Sequence, residues 1–230
     1  MSTSPRLCAG KLLQESAIRA LVQNIASCDE VWVVSRGAGE NLRSLGYEGD
    51  YIVMENGVDV PRGRVSDEAI AAATGRYDLP QNVPVFLFVG RLMWYKGIRI
   101  ILDALKTLRE KNVDFRMVFV GEGADGAEIR SYAEERKLSD RCFFTGAISD
   151  REIIRAWYGR SDLFLFPSTF DTNGLVVREA AASGTATVMI RNSCASEGVG
   201  DGRNGFCIEE NAAAMAAKLE ELCRAPEVMQ

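Results

Sequence analysis

Short runs of β-branched and aromatic residues recur every 20 to 30 positions through much of the chain, and that rhythm restricts the folds open to it. VPVFLFV (83–89), DFRMVFV (114–120), RCFFT (141–145), DLFLF (162–166) and TATVMI (185–190) each read as a strand. Between them lie stretches of helical period. In 98–111, Ile101, Leu102, Leu105 and Leu108 share one face, and 125–137 and 150–158 read alike. Nearly all-apolar strands alternating with helices predict an α/β fold, a parallel sheet with helices on both faces. Right-handed crossovers make it Rossmann-like. Upstream, VWVVS (31–35) and YIVM (51–54) predict two more strands, with helices near 11–27 and 37–45, and an Ala-rich helix is expected at 211–217. From Asn56 to about Gln81 the chain is rich in Gly, Ala, Arg and Asp, opens on an Asn-Gly turn signal and ends at Pro80 and Pro84. The expected organisation is 1–58 as one part with the hinge, 59–82 as linker and 83–230 as the main domain.

With 47% hydrophobic and 26% charged residues, 230 residues can bury a core, which excludes disordered and fibrous classes. The net charge of −5 is not gathered into a basic stripe, so nucleic acid is not an expected partner. The longest apolar run, Val83 to Val89, is seven residues and contains Pro84. A membrane helix needs about 20. The first residues lack a secretory apolar core and the six cysteines form no CxxC pair, so reduced thiols and a cytoplasmic location are expected. The count of zero histidines removes Ser-His-Asp and Cys-His nucleophiles, His-ligated zinc and imidazole acid–base chemistry. Chemistry here runs on carboxylates, cations and backbone dipoles.

Four strands end in unusual loops: Gly90-Arg91, Gly121-Glu122-Gly123, Thr145-Gly146 and Pro167-Ser168. Any one of them alone is better read as glycine punctuation. Together they point to a shared crevice at the carboxyl ends of the strands, where open α/β sheets bind ligands. Arg91 and Lys96, five residues apart before a helix, read either as solvated charge or as a diphosphate clamp combining a planar fork with a movable point charge. The stretch from Phe170 to Ala180 reads as a polar turn feeding a helix near Gly174. Free N–H groups of Gly174, Leu175 and Val176 then form an anion site. Glu179, one turn in, reads as an acceptor for a ribose diol or as a complement to the helix dipole.

These residues resemble the retaining glycosyltransferases of the GT-B type (group 1, family 4), which include bacterial mannosyl- and glucosyltransferases and glycogen synthases. The family's hinge signature is Asn56-Gly57-Val58-Asp59, and its Gly-Arg, four residues, Lys-Gly loop runs from Gly90 to Gly97. Val120-Gly121-Glu122-Gly123 matches a third motif. The fourth, two acidic residues separated by seven others and followed by Ala and a Ser-Gly turn, is Asp171 to Glu179, Ala180 and Ser183-Gly184. The matches cover about 56 to 208 in the family's order and spacing.

The resemblance implies that Arg91 and Lys96 hold the donor diphosphate and Glu179 the ribose, these three being the expected catalytic residues. Gly90 and Gly121 belong to the same substrate site. Asp171 would face the transferred sugar, the backbone near Ile148 would border the base, and Leu175 and Val176 would offer amides. Asp171 replaces the family's usual Glu, and Asn173 stands where an aromatic residue is commoner, which leaves the sugar open. The implied reaction moves a sugar from a nucleotide diphosphate sugar, UDP-sugar favoured and GDP-sugar possible, to an acceptor hydroxyl of a glycan, lipid or small molecule with retention. The leaving phosphate guides front-face attack, and neither cofactor nor metal is expected. Only about 55 residues precede the hinge signature, so the chain is expected to be the C-terminal donor-binding half of a two-domain architecture, inactive alone. The full-length protein could then sit peripherally at the inner membrane face. The alternatives are a sugar-nucleotide epimerase or phosphorylase of the same plan, or a nucleotide-sugar-binding module without turnover.

Overall fold

In a computed structural model, residues 5–225 are described, with side chains from 14 onward. The chain divides into two compact units, Met1–Asn56 and Gly57–Gln230, and the boundary falls inside the Asn56–Asp59 motif.

The first unit holds α1 (Pro5–Ala26), β1 (Trp32–Val33), α2 (Arg36–Ser44) and β2 (Ile52–Val53). The two strands pair in parallel. The side chain of Ser35 starts α2 by accepting from the Ala38 N–H at 3.0 Å.

The second unit begins with α3 (Asp67–Thr74) and continues through β3 (Val85–Val89), α4 (Ile98–Glu110), β4 (Arg116–Val120), α5 (Gly126–Glu135), β5 (Cys142–Gly146), α6 (Arg151–Arg160), β6 (Leu163–Phe166), α7 (Leu175–Ala182), β7 (Thr187–Ile190), β8 (Phe206–Ile208) and α8 (Ala212–Arg224). Six parallel strands lie in the order β5-β4-β3-β6-β7-β8. The period of two along each strand divides the core. Phe86, Phe88, Met117, Phe119 and Leu165 face α4, α5 and α8. Val85, Leu87, Val118, Phe164 and Phe166 face α6 and α7. Both faces of the central strands are buried, as all-apolar parallel strands require. Among the described residues no helix is long and apolar enough to cross a membrane.

The expected linker at 59–82 contains α3 instead. Ser66 caps it, accepting from the Ala69 N–H at 3.2 Å, and Asp67 and Glu68 sit in its first turn. Ile70 and Thr74 are buried, and the missing side chain of Gly159 on α6 makes the room, since a Cβ there would lie 3.2 Å from Ile70 Cδ1. Tyr77 then meets Trp157 edge-on at 5.2 Å. The alanines that resemble linker composition are good helix formers with one apolar face. The sequence reading also lacks β8, a three-residue strand behind a polar, glycine-rich stretch, paired with β7.

If α3 is part of this core, Ile70→Ala should lower the unfolding free energy by about 2–4 kcal/mol in urea titrations. A change within about 0.5 kcal/mol is what a linker position would give.

Candidate functional site

β3 and β6 are neighbours, yet the chain runs outward from β3 to β4 and β5 and from β6 to β7 and β8. The order reverses between them, and a crevice opens at their carboxyl ends. Backbone and side-chain contacts join the loops that leave those ends. Gly97 has φ 75°, and a Cβ on it would come within 2.2 Å of the Pro167 carbonyl oxygen, so only glycine lets the two backbones touch. Beside it, Lys96 Nζ donates to Asp171 Oδ1 at 2.6 Å, with both side chains largely covered. Asp171 Oδ2 and Ser168 Oγ are buried with no partner among the described residues.

The loop after β3 is held from its other side. The N–H groups of Gly90, Leu92 and Trp94 donate to the Val120 carbonyl, the Glu122 carbonyl and Asp125 Oδ2 at 3.0, 3.0 and 2.8 Å. Those of Met93, Lys96 and Gly97 donate within the loop. Gly121 in turn donates to the Gly146 carbonyl at 2.9 Å. Arg99 covers the rings of Trp94 and Tyr132, its guanidinium carbon 4.5 Å from each centroid. Among the described residues only the Arg91 and Tyr95 amides of this loop lack an acceptor, and the exposed Arg91 side chain has no hydrogen bond or ion pair.

The loop after β6 ends in Gly174, the N-cap of α7 in the left-handed region at φ 62°, where a Cβ would lie 2.8 Å from that of Ala195. The N–H of Val177 bonds back to the Gly174 carbonyl at 2.8 Å. Those of Gly174, Leu175 and Val176 have no acceptor among the described residues and point out of the helix start. Glu179 lies one turn in and is partly buried. The Tyr158 hydroxyl lies 3.3 Å from its Oε2 and 3.2 Å from the Val176 carbonyl. Burial pushes the Glu179 pKa up, and the Tyr158 hydrogen bond and Arg151 offset this only in part. Burial, and then Glu179 itself, push Tyr158 well up, so its phenol stays protonated.

The sequence-expected residues fall into three groups. Lys96 and Asp171 touch, with Gly90 and Gly121 in the supporting loops. Leu175, Val176 and Glu179 share the start of α7. Ile148 follows β5, two strands away from β3, and packs half-buried on the core. Asn173 is buried, and its side-chain oxygen accepts from Arg178 Nε at 3.0 Å, a polar pair where an aromatic side chain was the commoner expectation. Sequence reasoning missed Tyr158 and Asp125. Asp125 had a faint signal in its place just after the Gly121-Glu122-Gly123 loop, whereas Tyr158 had none. A separate groove of about 910 Å³ lies at the opposite, amino-terminal ends of β6 and β7, lined in part by Arg64, Asp67, Arg160 and Asp162.

Comparison with known proteins identifies the family and the fold. The family model described as glycosyl transferases group 1 matches residues 72–230. The D-inositol 3-phosphate glycosyltransferase of Streptomyces scabiei is 29% identical over 201 residues, covering 83% of this chain and 45% of that protein. The GDP-mannose-dependent α-(1-6)-phosphatidylinositol dimannoside mannosyltransferase of Mycobacterium tuberculosis is 28% identical over 228 residues, covering 95% and 57%. The chain thus spans about half the length of these curated relatives. The fold is shared with Anabaena HepE, solved with UDP-glucose, at a TM-score of 0.82 and 22% identity over 94% of this chain and 60% of that one.

The raised pKa of Glu179 has a consequence for stability. The folded state prefers the protonated carboxyl, so the charged form costs stability once pH rises through the raised value. Below the ordinary 4.5 both states carry the proton and the difference vanishes. Glu179→Gln should raise the melting temperature at pH 7.5 and match the unaltered chain at pH 4. A variant no more stable at pH 7.5 would show that burial does not burden this carboxylate.

Proposed function

The chain belongs to the group 1 glycosyl transferases, and on that premise we propose that it is the donor-binding half of an enzyme transferring a sugar from a nucleotide diphosphate sugar to an acceptor hydroxyl with retention. One observation carries the reading. Two cations on one loop and three open N–H groups on the other flank the switch point between β3 and β6, with a half-buried carboxylate one turn into α7. Two full positive charges and a helix start suit a diphosphate that gains negative charge as it leaves. Glu179 suits the ribose, because a partly desolvated carboxylate gains from two hydroxyl donors.

Asp171 has a double role in this proposal. One oxygen holds Lys96 and the other is buried with no partner among the described residues, so the carboxylate can turn to accept from a hydroxyl of the sugar once phosphate draws Lys96 away. Phosphate and Asp171 compete for one ammonium, so donor binding exchanges an internal ion pair for an external one. UDP-sugars are the favoured donors and GDP-sugars the second choice, in keeping with the UDP-glucose held by HepE and the GDP-mannose dependence of the mycobacterial relative. Transfer also requires an acceptor fixed against the donor, which is worth about 7–11 kcal/mol, and that surface belongs to the other half of the architecture. The same proposal includes the cytoplasmic location.

Calorimetry with UDP in the presence of a chelator tests the reading. UDP should bind without divalent ions, and Arg91→Ala or Lys96→Ala should each weaken it by about 1–3 kcal/mol. Loss of binding in chelator would overturn the clamp.

Asp171→Asn should tighten free UDP by about 0.5–1 kcal/mol, because it releases Lys96, and UDP-glucose should not share the gain. Equal tightening of both ligands would remove Asp171 from the sugar.

A further inference from the structure

Two large rings stand in the open at the rim of the switch-point crevice. Phe170 is 78% exposed and Tyr95 39%. Their centroids lie 5.7 Å apart and their planes are tilted by 58°. Neither ring is placed there by the core. Each is tied to the crevice through its sequence neighbour, since Tyr95 precedes Lys96, Phe170 precedes Asp171, and those two neighbours form the 2.6 Å ion pair. Lys96 Nζ also lies 5.4 Å from the Tyr95 centroid. Charge thus lies inside and aromatic surface outside, in one continuous strip.

We propose, building on the donor reading above, that Tyr95 and Phe170 form a rest for the C–H face of a pyranose ring carried by the donor or by the acceptor. A pyranose presents an apolar face of C–H bonds and a belt of hydroxyls. The strip matches both, with two rings for the face and the charged Lys96–Asp171 pair, formed by their sequence neighbours and partly exposed, for the hydroxyls. An acyl chain would gain nothing from that carboxylate and would need a broader apolar patch than two rings supply.

The test uses the 230-residue chain, its Phe170→Ala and Tyr95→Ala variants, and Phe170→Trp as the conservative replacement. UDP and UDP-glucose are titrated by calorimetry. Methyl α-glucoside and maltose are followed by saturation-transfer NMR with and without UDP. Phe170→Ala and Tyr95→Ala should leave UDP within twofold and weaken a hexose-bearing ligand at least fivefold, with Phe170→Trp restoring it. A loss confined to UDP-glucose assigns the rest to the donor sugar, and a loss confined to the glycosides assigns it to the acceptor. Hexose ligands that bind no variant differently, or that do not bind the unaltered chain, overturn the proposal. Failure of UDP to bind the unaltered chain is a separate result. It overturns the donor reading, while the glycoside titrations without nucleotide still decide the role of the rings.

Discussion

The backbone contact of Gly97 on the Pro167 carbonyl, at the point where the strand order reverses, governs how the other groups of the site are presented. A side chain at position 97 would push the two loops apart, and the Lys96–Asp171 pair and the Tyr95–Phe170 contact would separate with them. The sheet alone would leave two loops diverging toward opposite edges. The ladder from β4 and the aromatic cover from Arg99 and Tyr132 fix one loop, and the packing of Gly174 on Ala195 fixes the other. Rigid elements thus hold a site made of loops, the usual division of labour in open α/β sheets.

The electrostatics of the site work against the stability of the fold. A carboxylate partly buried beside a phenol, a buried carboxylate oxygen without a donor and three open amides at a helix start are each unfavourable for an isolated domain. They lie together at one end of the sheet, while the opposite faces of the central strands are packed with Phe, Leu and Val. Several departures from local rules thus gather at the candidate site.

Most of the sheet was legible because its strands are apolar on both faces, and a run such as Val85–Val89 has few other uses. β8 was not, since three residues carry no period. α3 was hidden for a different reason. Its alanines and flanking glycines match linker composition, and only the gap opened by Gly159 on α6 shows where Ile70 goes. The positions expected to bear chemistry were legible through their spacing. The pairing of Lys96 with Asp171 was not, because it joins residues 75 apart whose approach depends on loop packing. Tyr158 belongs to no motif and meets Glu179 only because α6 and α7 cover the same face.

On the donor reading, the two loops would hold an anion by different means. In the loop after β3 most backbone N–H groups are already bonded and only those of Arg91 and Tyr95 lack an acceptor among the described residues, so it offers mainly charge on long side chains. The start of α7 offers backbone dipoles, and the cation of its first turn, Arg178, is turned back onto the side-chain oxygen of Asn173. Counter-ions screen the first kind of contact over about 8–10 Å at moderate ionic strength and hardly weaken a hydrogen bond made at contact distance. On the donor reading, raising the salt concentration would loosen the grip of the β3 loop while the α7 amides kept theirs, and a bound diphosphate would shift its weight from one side of the crevice to the other without leaving it.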